Sequence, residues 1–337
     1  MIADLKPVVT LDNVVIGFRE NGRILFENIN LALWPGRLVC LMGRNGVGKS
    51  SLIRSIAGLQ KLIAGKIAIS ETSDNREIPK QISTVLTERA SVANMQVYEF
   101  VSFGRYPYID WKANLSEPDH EKIRASLSKV GIVDLQDSNV STLSDGQMQM
   151  VMIARALVQD TPIILLDEPT AHLDLNHRLE VMKLLKSLTR ELNKAILIST
   201  HELDLALQVA DEIWLAGSDK TISPGIPEDL VLNGSFDHVF QFKGFDLKSG
   251  KFHHAPFRDK PIVLIGESHA FLWTKNALER NGFKVVTRYD ASENHRYTVT
   301  ILDEEGKISW LVDDNLKQPQ KTFSIENLLS IVCALPE

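Results

Sequence analysis

Cysteine is almost missing from this chain: two residues, Cys40 and Cys333, in 337. That excludes a disulfide framework and fits a reducing compartment, with both thiols read as small core residues rather than reactive groups. No apolar run approaches the ~18 residues of a membrane-spanning helix, and Met1 to Thr10, carrying Asp4 and Lys6, lacks the apolar heart of a secretory leader. The chain is therefore expected to be soluble, so a membrane role would need a partner. There is no basic excess either: Lys plus Arg total 37 against 43 for Asp plus Glu, a net charge of −6. Non-specific nucleic-acid binding, which depends on neutralising phosphates, is disfavoured, and no nucleic-acid partner is expected. Internal repeats and low-complexity tracts are absent, and the length points to two domains.

What is present begins with Gly43-Arg44-Asn45-Gly46-Val47-Gly48-Lys49-Ser50, which fits the phosphate-loop pattern G-x-x-x-x-G-K-[ST]. It follows an apolar run, Leu38 to Met42, that reads as a buried strand, and it opens a helix. Backbone N–H groups at the glycines are expected to cradle phosphate oxygens, with Lys49 reaching the β and γ phosphates and Ser50 ligating Mg²⁺. Ser51 is counted with them as a nucleotide contact. ATP and Mg²⁺ are the implied ligands.

Along the chain, Val8 to Phe18 and the alternating Ile29, Leu31 and Leu33 read as strands around an Asn21-Gly22 turn, and the helix from Lys49 ends at Gly58. A short strand, Ile82 to Leu86, precedes a helical stretch, about 96–159, that reads as an insertion between strands. Beyond it the pattern gives a strand at Ile163 to Leu166, a helix at His177 to Leu192 and a strand at Ala195 to Ser199. Strands separated by helices predict an α/β fold with a mostly parallel sheet and ligands at the strands' carboxyl ends. Residues near 241–260 lose periodicity and read as a linker. The remainder, 261–337, reads as a small unit of a strand (Ile262 to Ile265), a helix (His269 to Arg280), three short strands and a last helix from Ser324, with Trp273 and Trp310 expected to fill its core.

Ile163 to Leu166 runs into Asp167-Glu168, and two carboxylates at the tip of a buried strand are costly unless a cation or a positioned water uses them. Asp167 is read as a metal ligand, Glu168 as the base for the water that attacks the γ-phosphate. Leu143-Ser144-Asp145-Gly146-Gln147 opens a helix with a good cap at Ser144.

In this order, the phosphate loop, helical insertion, LSDGQ segment, ILLDEP strand and the single histidine of Thr200-His201-Glu202 resemble the ATP-binding cassette (ABC) ATPases, over roughly residues 8–240. The resemblance implies a phosphate-loop NTPase of ABC type: a mostly parallel core, an antiparallel β subdomain and a helical subdomain, spanning 1–254, followed by a small α+β accessory domain at 261–337. It implies that Ser144, Gly146 and Gln147, the signature, contact the γ-phosphate held by a second copy of the chain. Phe18 would stack on adenine, His201 would contact the γ-phosphate and orient the water, and Asp174 of Ala171-His172-Leu173-Asp174 would lie in the dimer seam. Asp145 departs from the family's commoner glycine. Where the family has a metal-touching glutamine after the Ile82 strand, this chain has Thr87 and Glu88, and either oxygen would serve.

Tyr98 to Tyr108 resembles the ELV-x-x-GRYPY segment of ATPases serving importers of iron-siderophore, haem and cobalamin complexes. The implied function is an ATPase subunit on the cytoplasmic, inner face of the cell membrane, bound to integral permease subunits and indirectly to a substrate-binding protein. An exporter or lipid-transport ATPase and a non-transport cassette ATPase are the alternatives. Because each motif occurs once, a head-to-tail homodimer is required, with two nucleotides sandwiched between copies.

Overall fold

Leu38–Gly43 is buried at all six positions, which a strand can be only at the centre of a sheet covered on both faces. In the computed structural model the described residues are 6–20, 22–69, 74–86, 94–109, 114–241, 245–246, 251–252, 258, 261–287, 297–304, 307–314 and 318–334. The chain divides into two compact units, Met1–Gln241 and Phe242–Glu337. The second takes in the aperiodic stretch around 242–260.

The first unit contains strands β1 (Val9–Phe18), β2 (Arg23–Leu33), β3 (Leu38–Gly43), β4 (Ala64–Ile69), β5 (Ile82–Val85), β6 (Ile163–Asp167), β7 (Ala195–Ser199), β8 (Glu212–Ala216) and β9 (Ile222–Gly225). Its helices are α1 (Lys49–Ile56), α2 (Ile78–Gln81), α3 (Val97–Ser102), α4 (Glu117–Val130), α5 (Asp145–Val158), α6 (Leu175–Leu192), α7 (Leu203–Val209), α8 (Pro227–Leu232) and α9 (Ser235–Phe240). A six-stranded sheet runs β5-β6-β7-β3-β8-β9, with only the edge pair β8–β9 antiparallel. A second sheet, β2-β1-β4, is antiparallel throughout. The order places β6, β7 and β3 side by side, so their carboxyl ends open onto one edge. Between β5 and β6 come the helices α3, α4 and α5 of the insertion.

That insertion is held by a buried ion pair. Arg105, in the 3₁₀ turn Phe103–Tyr108, donates from Nε to Asp119 Oδ1 at 2.8 Å and from Nη1 to the Val158 carbonyl at 3.0 Å. Its guanidinium lies 4.0 Å from the centre of the Tyr108 ring. Asp119 also accepts from Ser116 N and Oγ, closing the capping box that starts α4, and these bonds with Arg105 hold its carboxyl down at about 2. Next to it, a Cβ on Gly104 would come within 2.3 Å of the Arg155 carbonyl, so no other residue lets this turn lie on α5. The Gly and Arg of the importer-like segment thus serve packing, whereas Phe103, Tyr106 and Tyr108 are exposed.

Asp119→Ala should cost about 3 kcal/mol of unfolding free energy, since it strands a buried guanidinium, and urea titration measures it. A carboxylate held below its unfolded value of 3.8 stabilises the fold fully above that value. The wild-type contribution should fade as pH falls from about 4 towards 2, and the variant should lack that segment of the stability–pH curve.

The second unit comprises β10 (Phe245–Asp246), β11 (Lys251–Phe252), β12 (Pro261–Ile265), α10 (Ser268–Arg280), β13 (Lys284–Thr287), β14 (Tyr297–Glu304), β15 (Lys307–Asp313), β16 (Gln320–Thr322) and α11 (Ile325–Ala334). Its five-stranded sheet runs β13-β12-β14-β15-β16, parallel across β13, β12 and β14 and antiparallel beyond. Among the described residues four strands follow α10 rather than three, because β16 is a polar edge strand, Gln-Lys-Thr, with no apolar alternation to betray it. Trp310 is in the core, 6% exposed, its indole N–H donating to Thr274 Oγ1 at 2.7 Å. Trp273 is not: it is 64% exposed. The buried stripe of α10 is Ala270, Thr274, Ala277 and Leu278, and at 3.6 residues per turn Trp273 lies roughly a quarter turn off its centre.

Candidate functional site

The end of β3 turns directly into the phosphate loop. Gly46 and Gly48 have φ of +78° and +120°, and the loop delivers Lys49 as the first residue of α1. Lys49 is 5% exposed. Its Nζ donates to the carbonyls of Gly43 at 3.0 Å and Arg44 at 3.4 Å and lies 4.0 Å from Glu168 Oε1. Burial pulls the ammonium below its ordinary range, while Glu168 and then Asp167 pull it back up.

β6 supplies the acids. Asp167 is 3% exposed, and its Oδ1 accepts from Ser50 Oγ at 3.1 Å and from Ser199 Oγ, on β7, at 2.6 Å. Ser199 also accepts from the Glu168 N–H, at its Oγ (2.9 Å) and its carbonyl (3.2 Å). That grip holds Glu168 at φ +51°, the left-handed region, which a non-glycine residue enters at a cost of order 1 kcal/mol. His201, just past β7, lies with Nδ1 4.0 Å from Glu168 Oε2. Thr200, the residue before it, donates its N–H to the Leu41 carbonyl of β3 at 3.1 Å.

These groups converge on one open cleft of about 410 Å³. Of the sequence-derived residues it is lined by Phe18, Asn45, Gly46, Gly48, Lys49, Ser50, Ser51, Glu168 and His201, with Asp167 behind Ser50. Gly43, Arg44 and Val47 belong to the loop without lining the cleft. Phe18, at the end of β1, is 43% exposed, and Arg23 and Leu25 on β2 stand with it. Arg23, Leu25 and Ser199 were not singled out from sequence. Ser199 ends an apolar strand, but its hydroxyl gains meaning only from the acid strand the sheet sets beside it; the other two carry no local signal.

The signature segment is elsewhere. Ser144 caps α5, accepting from Gln147 N at 3.3 Å while Gln147 Oε1 accepts from Ser144 N at 3.0 Å. Ser144 and Asp145 are exposed, Gly146 is buried, and Ser144, Gly146 and Gln147 are not among the residues lining the cleft. Thr87 and Glu88 lie outside the described residues.

Oxygen ligands suit a hard divalent cation, and Ser50 Oγ and Asp167 Oδ1, converged at 3.1 Å, are two of them beside the phosphate loop. A cation held there would take its other ligands from phosphate and water.

A phosphate loop, a neighbouring strand ending in two acids and a histidine past the next strand define a nucleotide-hydrolysing α/β protein of the phosphate-loop class. Residues 26–171 match the family described as ABC transporter, and residues 259–332 match the iron ABC transporter C-terminal domain. An ABC transporter ATP-binding protein of Methanocaldococcus jannaschii is 33% identical over 267 residues, covering 75% of this chain and 90% of the relative. The achromobactin transport ATP-binding protein of Dickeya dadantii is 31% identical, covering 75% and 96%. A petrobactin import ATP-binding protein of Bacillus anthracis is 37% identical over 65% of this chain and 82% of its own length. Among solved structures, an inward-facing metal-chelate type ABC transporter matches with a TM-score of 0.63 at 25% identity, covering 70% of this chain and 90% of the other. A dimeric bacterial ABC transporter cassette matches with a TM-score of 0.56 at 27% identity, covering 65% and 98%. The chain belongs to the ATP-binding proteins of ABC transporters, and is an ATPase that binds nucleotide through this domain.

Proposed function

We propose that this protein powers the uptake of an iron chelate of the siderophore class, as the ATPase subunit on the inner face of a membrane importer. Support comes from the C-terminal match to an iron-transporter domain and from relatives whose names specify achromobactin transport and petrobactin import. Among the described residues no helix is long and apolar enough to cross a membrane, so the reading requires integral permease subunits, which a substrate-binding protein would load. The exposed aromatics of Phe103 to Tyr108 offer such a subunit a surface.

In the catalytic cycle, backbone N–H groups of Asn45 to Ser51 bind the phosphates, Lys49 neutralises the β and γ oxygens, and Phe18 stacks on the base. Mg²⁺, which Ser50 and Asp167 would hold, would supply charge neutralisation at the phosphates. Glu168 takes a proton from a water as its oxygen bonds to the γ-phosphorus; the bond to the β-bridging oxygen breaks, and ADP and phosphate leave. His201 holds that water and the γ-phosphate in line. Ser144 and Gly146, with Gln147 behind them, come from the second copy. ATP therefore favours the closed pair and hydrolysis releases it.

The cargo reading is carried by the match of residues 259–332 to the iron-transporter C-terminal domain, and the two-copy cycle by the separation within one chain: Lys49, Glu168 and His201 share a cleft to which Ser144 does not contribute. The test is reconstitution with the membrane subunits that co-purify with the chain and a siderophore-binding protein. ATP turnover should rise severalfold with a ferric siderophore and not with haem or cobalamin. Equal stimulation by cobalamin, or by no cargo at all, would reject the iron-chelate reading.

A further inference from the structure

The first turn of α6 grips the signature of its own chain. Asp174 caps α6, its Oδ1 accepting from the His177 N–H at 2.9 Å, and its Oδ2 stands 2.9 Å from His177 Nδ1. The imidazole held in this way covers Gly146. A Cβ added there would lie 2.6 Å from His177 Cδ2, 2.9 Å from Cγ and 3.0 Å from Nε2, so the ring leaves room for no side chain at all. Gly146 is buried for this reason, although Ser144 and Asp145 beside it are exposed. The ring also lines a groove of about 610 Å³ with Gln147, Met150 and Leu184, so Asp174, rather than close packing all round, fixes its orientation. Residues 144–147 are thus set from two sides, by the Ser144–Gln147 capping box and by the His177 ring.

We propose that His177 is a positioning residue for the signature turn, aiming Ser144 and Gly146 of one copy at the γ-phosphate bound by the other and locking that turn to Asp174. The inference rests on the across-seam reading given above. His177 does not line the nucleotide cleft of its own chain, so its effect must be delivered to the partner's nucleotide.

Mixing experiments distinguish the two directions. His177→Ala should bind ATP within twofold of wild type yet lose more than tenfold in kcat. Mixed in equal amounts with Lys49→Ala, it should recover about a quarter of wild-type turnover, because half of the random dimers pair its intact phosphate loop with an intact signature. Ser144→Ala mixed with Lys49→Ala is the control and should recover equally. A kcat within twofold of wild type overturns the proposal, as does failure to recover when the control recovers. If the control itself stays silent, the across-seam reading falls and takes this inference with it. Gly146→Ala tests the same contact from the other side and does not depend on His177→Ala folding: with the ring pushed out, turnover should fall more than tenfold and again be rescued in trans. Wild-type turnover from Gly146→Ala rejects the contact.

Discussion

Glu168→Gln should bind ATP at least as tightly as wild type, accumulate as an ATP-loaded dimer and turn over at least 100-fold more slowly. The substitution is nearly isosteric. The bonds that orient residue 168 run from its backbone N–H to Ser199 Oγ and carbonyl and survive the change. What is lost is a proton acceptor, and general-base catalysis contributes typically 10²–10⁴-fold. A negative charge 4.0 Å from both Lys49 Nζ and His201 Nδ1 also goes, leaving the cleft more hospitable to a polyanion. Rapid-quench hydrolysis and sedimentation in ATP against ADP provide the readouts. Near-normal hydrolysis would remove Glu168 from the role of base.

Lys49→Ala acts one step earlier and should abolish nucleotide binding. Lys49 is a buried cation facing two carboxylates, so its removal strips both of that counter-charge just where phosphates must enter. Its two backbone contacts, to Gly43 and Arg44, would also be lost, loosening the loop. An ATP affinity reduced by at least 100-fold is expected, about 2.7 kcal/mol, measurable by calorimetry with Mg·ATP. Affinity within threefold of wild type would show that the backbone cradle alone suffices.

Much of the candidate cleft is legible in the sequence. The phosphate loop, the acid pair and His201 sit at strand ends that the apolar runs Leu38 to Met42, Ile163 to Leu166 and Ala195 to Ser199 announce, and the sheet sets those runs side by side. Periodicity could not reveal Ser199, because a hydroxyl inside an apolar strand looks like noise until its neighbour's carboxylate is seen to accept from it. The same blindness applies to His177, whose importance lies in a glycine some thirty residues upstream. In the second unit, the buried stripe of α10 contains Thr274 and excludes Trp273, an inversion of hydrophobic order that makes sense only once the Trp310 indole is known to need an acceptor.

Gly104 lies against the Arg155 carbonyl and Arg105 is bonded to that of Val158, both in the last turn of a helix whose first residues carry the signature. With fourteen residues, α5 is a stiff rod about 21 Å long. That rod ties the exposed aromatic surface around Tyr106, fastened at its carboxyl end, to the turn that carries Ser144 at its amino end.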